Sequence, residues 1–148
     1  MKLLLDTNIL VDLVACREPY AQAARKLCIA SAFGDVQLWA STQSFADAFY
    51  ILRRKAPDAD VKRALLASLE FLVPCGTYAA DLEPALRSDW PDVEDYLIAA
   101  SSKHIKADCF ITRDTDLAQR SPIEALDAEA FLQRLKETEG LAYDDVVF

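Results

Sequence analysis

Histidine occurs once in this chain, at position 104, and glycine three times, at 34, 76 and 140. A single imidazole excludes any mechanism built on a pair of them, such as metal-free RNA cleavage by a histidine acid–base couple. A Ser-His-Asp triad would have to recruit His104, which sits in the Lys-rich helix end SSKHIKAD, where a cation interacts favourably with the helix dipole. None of the glycines falls in a GxGxxG or GxxxxGKS/T pattern, so no phosphate-cradling loop is available for a nucleotide cofactor. Four cysteines (Cys16, Cys28, Cys75 and Cys109) form no CxxC or Cys/His cluster. Three of them lie in apolar surroundings, KLCIA, LVPCG and ADCFI, and read as small buried thiols of a reducing compartment. No apolar run approaches the roughly 20 residues of a membrane span. The opening MKLLLDTNIL lacks the long uncharged stretch and small-residue cleavage site of a secretory signal. A cytoplasmic protein without a membrane partner is expected.

Positive charge is also scarce. Sixteen Lys and Arg against 24 Asp and Glu leave a net charge of −8. That argues against gripping nucleic acid by bulk positive charge. It does not exclude a nuclease, because carboxylates gathered in one cleft can hold divalent cations that in turn meet the phosphate. What the chain has is apolar residues, 53% of 148, with 27% charged, which excludes a disordered chain. This length suits one domain with a sizeable core.

Strand and helix signals alternate. Lys2–Leu5 reads as a buried strand, followed by a short helix, ILVDLVA, capped by Asp6 or Thr7. Pro19 to Phe33 reads as a helix stopped at Gly34, and Val36–Ala40 as a second strand. Ser41 or Thr42 caps a helix to about Lys55, ended by Pro57. Asp58 or Asp60 opens the next, DADVKRALLASLEFL, with Leu65, Leu69 and Leu72 on one stripe. Then come a brief strand at Val73–Cys75, a helix at Tyr78–Arg87, a helix at Asp92–Lys106, a strand at Cys109–Thr112, a strand at Ile123–Leu126 and a helix at Ala128–Glu139 stopped by Gly140. This order predicts an α/β fold: three layers, α/β/α, around a mainly parallel central sheet. Residues 1–140 are expected to form one domain, with 141–148 as a tail.

Ligands of open parallel sheets bind outside the carboxyl ends of the strands. Asp6 follows the first strand directly, and Asp114 follows CFIT after one Arg. Each could equally be a helix cap or turn residue. Asp47 lies inside the apolar helix FADAFYIL, where a charge is unfavourable unless it is paired, bound or turned to a polar face near Gln43 and Arg54. Asp92 and Asp95 share a helix face, as cap and first-turn acid, as ligands, or as both. Carboxylates brought together in one cleft repel one another unless cations join them. Oxygen-only ligands favour Mg²⁺ or Mn²⁺, and phosphodiester hydrolysis is the chemistry such a site supports.

Four blocks, LLLDTNILVDL, STQSFADAFYIL, DVEDYLIAASSKHIKADCFITRD and SPIEAL–DAEAFL, resemble the PIN-domain nucleases, and more narrowly the VapC-type toxins of bacterial toxin–antitoxin pairs. The similarity runs along nearly the whole chain in order. It implies a PIN-like fold and a Mg²⁺- or Mn²⁺-dependent ribonuclease that dimerises and is held inactive by a cognate antitoxin. The family's acidic quartet falls on Asp6, Asp47, Asp95 and Asp114. Asp6, Asp95 and Asp114 are the expected metal ligands. The accompanying hydroxyl or amide falls on Thr7, Asn8 or Thr112. Where the family usually has Glu this chain has Asp47, one methylene and about 1.5 Å shorter in reach, which implies contact through a water. A related subgroup often has Asn at the position of Asp114, which makes Asp92, Glu94 and Asp116 stand-ins or supporting groups.

The resulting expectation is an endoribonuclease in which water attacks phosphorus in line and leaves 5′-phosphate and 3′-hydroxyl ends. That route does not use the ribose 2′-hydroxyl, so RNA is favoured over DNA by the resemblance alone. Arg113 either touches a substrate phosphate, pairs with Glu94 or is solvated. Arg53, Arg54 and Lys55, with Lys62 and Arg63 nearby, are either a solvated helix end or a docking site. The alternative reading is a non-catalytic PIN scaffold whose acidic cleft binds a metal or basic partner. A phosphoacceptor domain or a DxD phosphotransferase fits poorly, because Asp6 is followed by Thr7 and Asn8 rather than a second acid.

Overall fold

Leu3, Leu4 and Leu5 are all buried, and alternate residues face opposite sides of the sheet, so this strand is covered on both faces. The computed structural model describes residues 1–144. Five strands, β1 (Lys2–Leu5), β2 (Gln37–Ser41), β3 (Leu72–Cys75), β4 (Cys109–Ile111) and β5 (Ala125–Leu126), form one sheet in the order β3-β2-β1-β4-β5. Every pairing is parallel. The helices are α1 (Thr7–Val14), α2 (Tyr20–Ala32), α3 (Thr42–Leu52), α4 (Asp58–Ser68), α5 (Leu82–Arg87), α6 (Val93–His104), α7 (Thr115–Arg120) and α8 (Ala128–Glu139). The predicted three-layer α/β/α architecture is present.

Two apolar clusters divide the layers. Leu3, Leu5, Leu38, Cys109 and Ile111 pack with residues of α1 to α4 and α8 on one face. Leu4 and Phe110 pack with Ile98 and Ala99 of α6 and Leu117 of α7 on the other. The chain winds outward from β1 to β2 and β3, then returns to lay β4 on the opposite side of β1. The order therefore reverses between β1 and β4, and the crevice opens above that point. Asp6 N–H donates to Ile111 O (2.9 Å), which extends the β1–β4 register by one residue and sets the two strand ends side by side.

The differences from the sequence reading are local. The helix expected over DADVKRALLASLEFL ends at Ser68, whose hydroxyl donates to Leu65 O (2.7 Å). Tight turns then carry the chain to the sheet edge, where Leu72 pairs with Leu38. Leu69 is consequently exposed, and Leu72 belongs to a strand rather than to the helical stripe. The Tyr78–Arg87 helix divides into a 3-10 turn at Ala79–Asp81 and α5. Helix α7 had no expected counterpart: at six residues with one buried side chain, Leu117, it carries no readable periodicity. Gly140 ends α8 with φ +69, the left-handed conformation that glycine adopts without strain.

Leu141 packs against the first cluster, Tyr143 is buried with its hydroxyl donating to Asp35 (2.7 Å), and Asp144 pairs with Lys26 of α2. Expectations for 145–148 lie outside the described residues. Cys28, Cys75 and Cys109 are buried free thiols, as read, with burial pushing the Cys28 thiol up to about 12 and those of Cys75 and Cys109 to about 11. Among the described residues no helix is long and apolar enough to cross a membrane.

Candidate active site

Asp6 is the last residue before α1 and its N-cap. It is 5% exposed, yet both oxygens are satisfied: one accepts from Thr7 N–H (2.7 Å), the other from the Thr112 hydroxyl (2.7 Å). Burial pushes its carboxyl above the ordinary range, and the two hydrogen bonds work against that shift. Thr112, at the end of β4, thus ties the two central strand ends together through side chains. The Thr112 oxygen also accepts from Asp114 N–H (3.0 Å).

Asp114 caps α7 with one oxygen, accepting from Asp116 N–H (2.9 Å) and Leu117 N–H (3.0 Å). Asp92 caps α6 in the same manner, accepting from Glu94 and Asp95 N–H. Asp95, in the first turn of α6, is pushed up to about 6, first by burial and then by the charges of Asp92, Asp6 and Asp114. That influence is the mark of convergence: acids from three separate segments face one crevice. Asp116 lies beside it in the first turn of α7.

Asp47 on α3 belongs to a neighbouring pair. Its one oxygen accepts from the Gln43 side chain (3.0 Å), and the other is buried with no donor from an ionised neighbour. The donor it needs is a proton on Glu94, whose carboxyl is pushed up to about 8, chiefly by its hydrogen bond with Asp47 and then by burial. The charges of Asp92 and Asp95 act on Glu94 in the same direction, so this pair borders the Asp95 group. Thr7 donates to Ser44 (3.0 Å), which Ser41 also contacts (3.1 Å), linking α1 to α3 through a hydroxyl chain. Asn8 Oδ1 is buried without a donor.

Arg113 is neither solvated nor paired with Glu94. It makes a forked contact with Asp12 (2.7 and 3.0 Å), and its guanidinium stacks 3.9 Å from the centre of the Tyr20 ring. Asp12 is 0% exposed in mid-helix. Asp12 is not among the acids expected from the sequence, yet it carries the signal that singles out Asp47, a lone acid inside an apolar helix, here ILVDLVA. Arg53 pairs with Asp58 and Arg63 with Asp60, while Arg54 stacks on Tyr50 and Lys62 on Phe49, so most of the basic cluster is engaged with its own helices.

An all-oxygen, mutually repelling set of carboxylates has the chemistry of a hard divalent-cation site. Asn8 Oδ1 adds a buried acceptor that no protein donor satisfies. Among the described residues, no three acids stand at the spacing of a finished coordination shell.

The PIN domain family matches residues 2–116, and the chain belongs to that family. Comparison with curated proteins by sequence yields no match. Solved structures with the same fold include VapBC2 from Rickettsia felis, at 18% identity over 86% of this chain and 98% of that one, with a TM-score of 0.65. VapC20 from Mycobacterium tuberculosis, described as a Sarcin-Ricin loop cleaving toxin, shares 14% identity over 79% and 93%, with a TM-score of 0.62. VapBC-1 from nontypeable Haemophilus influenzae shares 19% over 87% and 99%, with a TM-score of 0.60.

Proposed function

We propose that this protein is a Mg²⁺- or Mn²⁺-dependent endoribonuclease, the toxin of a toxin–antitoxin pair, with a cognate antitoxin protein as partner and a homodimer as its assembly. The observation that carries the reading is the hydrogen-bonded run Asp6–Thr112–Asp114 at the switch point of the sheet, with Asp95 near enough that the charges of Asp6 and Asp114 help push its carboxyl up. PIN family membership and the shared fold with VapC20, described as a Sarcin-Ricin loop cleaving toxin, support it. The shared fold with the two VapBC structures supports the antitoxin partner.

In this reading Asp6, Asp95 and Asp114 hold the cation, directly or through water, and Asp47 completes the set from α3. When bound, the cation supplies positive charge against the phosphate and the leaving oxygen. The residues of the chain do the positioning. Thr112 and the Thr7 amide fix the Asp6 carboxylate. Asp114 is fixed through its cap contacts. Glu94 holds a proton against Asp47, and a cation held by Asp47 would favour the ionised form of the pair. Water attacks the phosphorus in line, and the products carry 5′-phosphate and 3′-hydroxyl ends.

Asp6→Asn and Asp95→Asn test this. Each is expected to abolish Mn²⁺-dependent cleavage of single-stranded RNA while the protein stays folded. Undiminished cleavage in both removes the assignment. The lack of a finished three-acid shell favours one other reading, a scaffold that binds metal or a basic partner without turnover. In that case Mn²⁺ raises the melting temperature but no RNA is cut.

A further inference from the structure

Two pockets flank the crevice on opposite faces of the sheet, and their charge differs. One, about 270 Å³, is lined by Tyr20, Arg113, Asp127 and Glu129. Its guanidinium is committed to Asp12 and Tyr20, and two carboxylates stand beside it, so it repels phosphate. The other, about 280 Å³, lies between α6 and the end of α7 and is lined by Trp90, Tyr96, Lys103, His104, Arg120 and Asp81.

Tyr96 directly follows Asp95, and Lys103 lies two turns further along the same face of α6. The pocket therefore starts beside the acid site and runs away from it. Trp90 and Tyr96 meet edge to face, 5.2 Å between ring centres, and Trp90 is anchored against the second apolar cluster. Asp81, the one carboxylate in the lining, is already taken: His104 Nε2 lies 2.6 Å from it, with the imidazole stacked on Tyr78 at 3.8 Å. Arg120 reaches only Asp89 on the rim, at 3.4 Å, a contact weak enough to exchange. The side-chain donors of Trp90, Tyr96 and Lys103 have no hydrogen-bond partner among the described residues. On a chain of net charge −8 this is an aromatic-walled, donor-rich pocket with no unengaged carboxylate.

Resting on the ribonuclease reading, we propose that this pocket binds an unpaired RNA nucleotide flanking the one that is cut, with its base against Trp90 and Tyr96 and its phosphate on Lys103 and Arg120. An unpaired base offers the face that aromatic side chains stack on, whereas a duplex hides it. Paired cations meet the phosphate by charge-assisted hydrogen bonds.

The test uses full-length protein in EDTA, so that binding is read without cleavage. The chain has two tryptophans, so Trp39→Phe leaves Trp90 as the sole indole. A ten-nucleotide single-stranded RNA is expected to quench its emission. Tyr96→Ala should weaken binding at least ~5-fold, the lower end of what one base–aromatic stack contributes. Lys103→Ala with Arg120→Ala, both exposed and safe for folding, should reduce the salt slope of log K by about 0.7 for each charge removed. Neutralising Arg53, Arg54 and Lys55 should leave the quench as it was. Wild-type affinity and slope in the Lys103/Arg120 double variant, or an unchanged Trp90 emission at saturating RNA, overturns the proposal. The two readings fail separately. A quench that persists in a protein that never cleaves with Mn²⁺ sinks the nuclease and keeps the pocket. Cleavage with an unchanged KM in the pocket variants sinks the pocket and keeps the nuclease.

Discussion

The Asp12–Arg113 pair should respond asymmetrically to truncation. The Asp12 side chain is 1% exposed and that of Arg113 is 28% exposed. Arg113→Ala strands a carboxylate inside α1 with only the half-exposed Arg17 left, 3.8 Å away. An uncompensated buried charge costs about 3–5 kcal/mol. For a chain of this length each kcal/mol is about 2–4 °C, so the melting temperature should fall by about 10 °C. Asp12→Ala instead frees an arginine that already reaches solvent and keeps its stack on Tyr20, and should cost only about 1–2 kcal/mol. The double variant should resemble Asp12→Ala alone, because the stranded charge is gone. Urea unfolding followed by circular dichroism in EDTA gives all three values. A loss in Asp12→Ala equal to or larger than that in Arg113→Ala, or simple additivity in the double variant, refutes the claim that the pair is held by the burial of Asp12.

The metal-free protein should lose stability as pH rises. The Asp95 and Glu94 carboxyls are pushed up to about 6 and about 8, so the folded chain holds protons that the unfolded chain releases. The contribution of these two groups is therefore full below the ordinary carboxylate range and is lost through pH 6 and 8, and Mn²⁺ should flatten that decline in thermal scans. Thr112→Val removes the donor to Asp6 and should move the acidic limb of the cleavage pH profile upward, while an unmoved limb rejects Thr112 as its anchor. Tyr143→Phe deletes the hydroxyl bond to Asp35 and should lower stability by about 1 kcal/mol, read as a shifted urea midpoint with the same slope.

The strand and helix order was legible because it rests on periodicity and punctuation. KLLL, the Ser41 cap and the Gly140 stop each act within a few residues, and each sits where its chemistry demands. What was not legible depends on partners distant in sequence. Leu72 leaves its helical stripe because β2 offers a strand to pair with, and no helical wheel contains that information. Arg113 finds Asp12 rather than Glu94, because α1 packs over the end of β4 while Glu94 is engaged with Asp47. The acids of the site were legible as residue types in suggestive places, whereas the Asp47–Glu94 pair was not, because it joins two helices far apart in the chain.

Capping and ligation, the two readings open for Asp6, Asp92 and Asp114 in the sequence, do not exclude each other. Each of the three caps a helix, and Asp92 and Asp114 do so with a single oxygen, leaving the other without a hydrogen bond among the described residues. Three helix N-termini, of α1, α6 and α7, thereby direct their positive ends toward one crevice. Those dipoles offset part of the repulsion among the carboxylates before any cation arrives, which lets the fold carry the acids together. They do not offset all of it, as the raised carboxyls of Asp95 and Glu94 record. The residual repulsion is what a divalent cation would relieve. Its affinity should therefore track the caps: replacing Asp92 by Ser, which still caps but carries no charge, should leave the helix intact and weaken Mn²⁺ binding in a calorimetric titration. Unweakened binding would mean that Asp92 only caps.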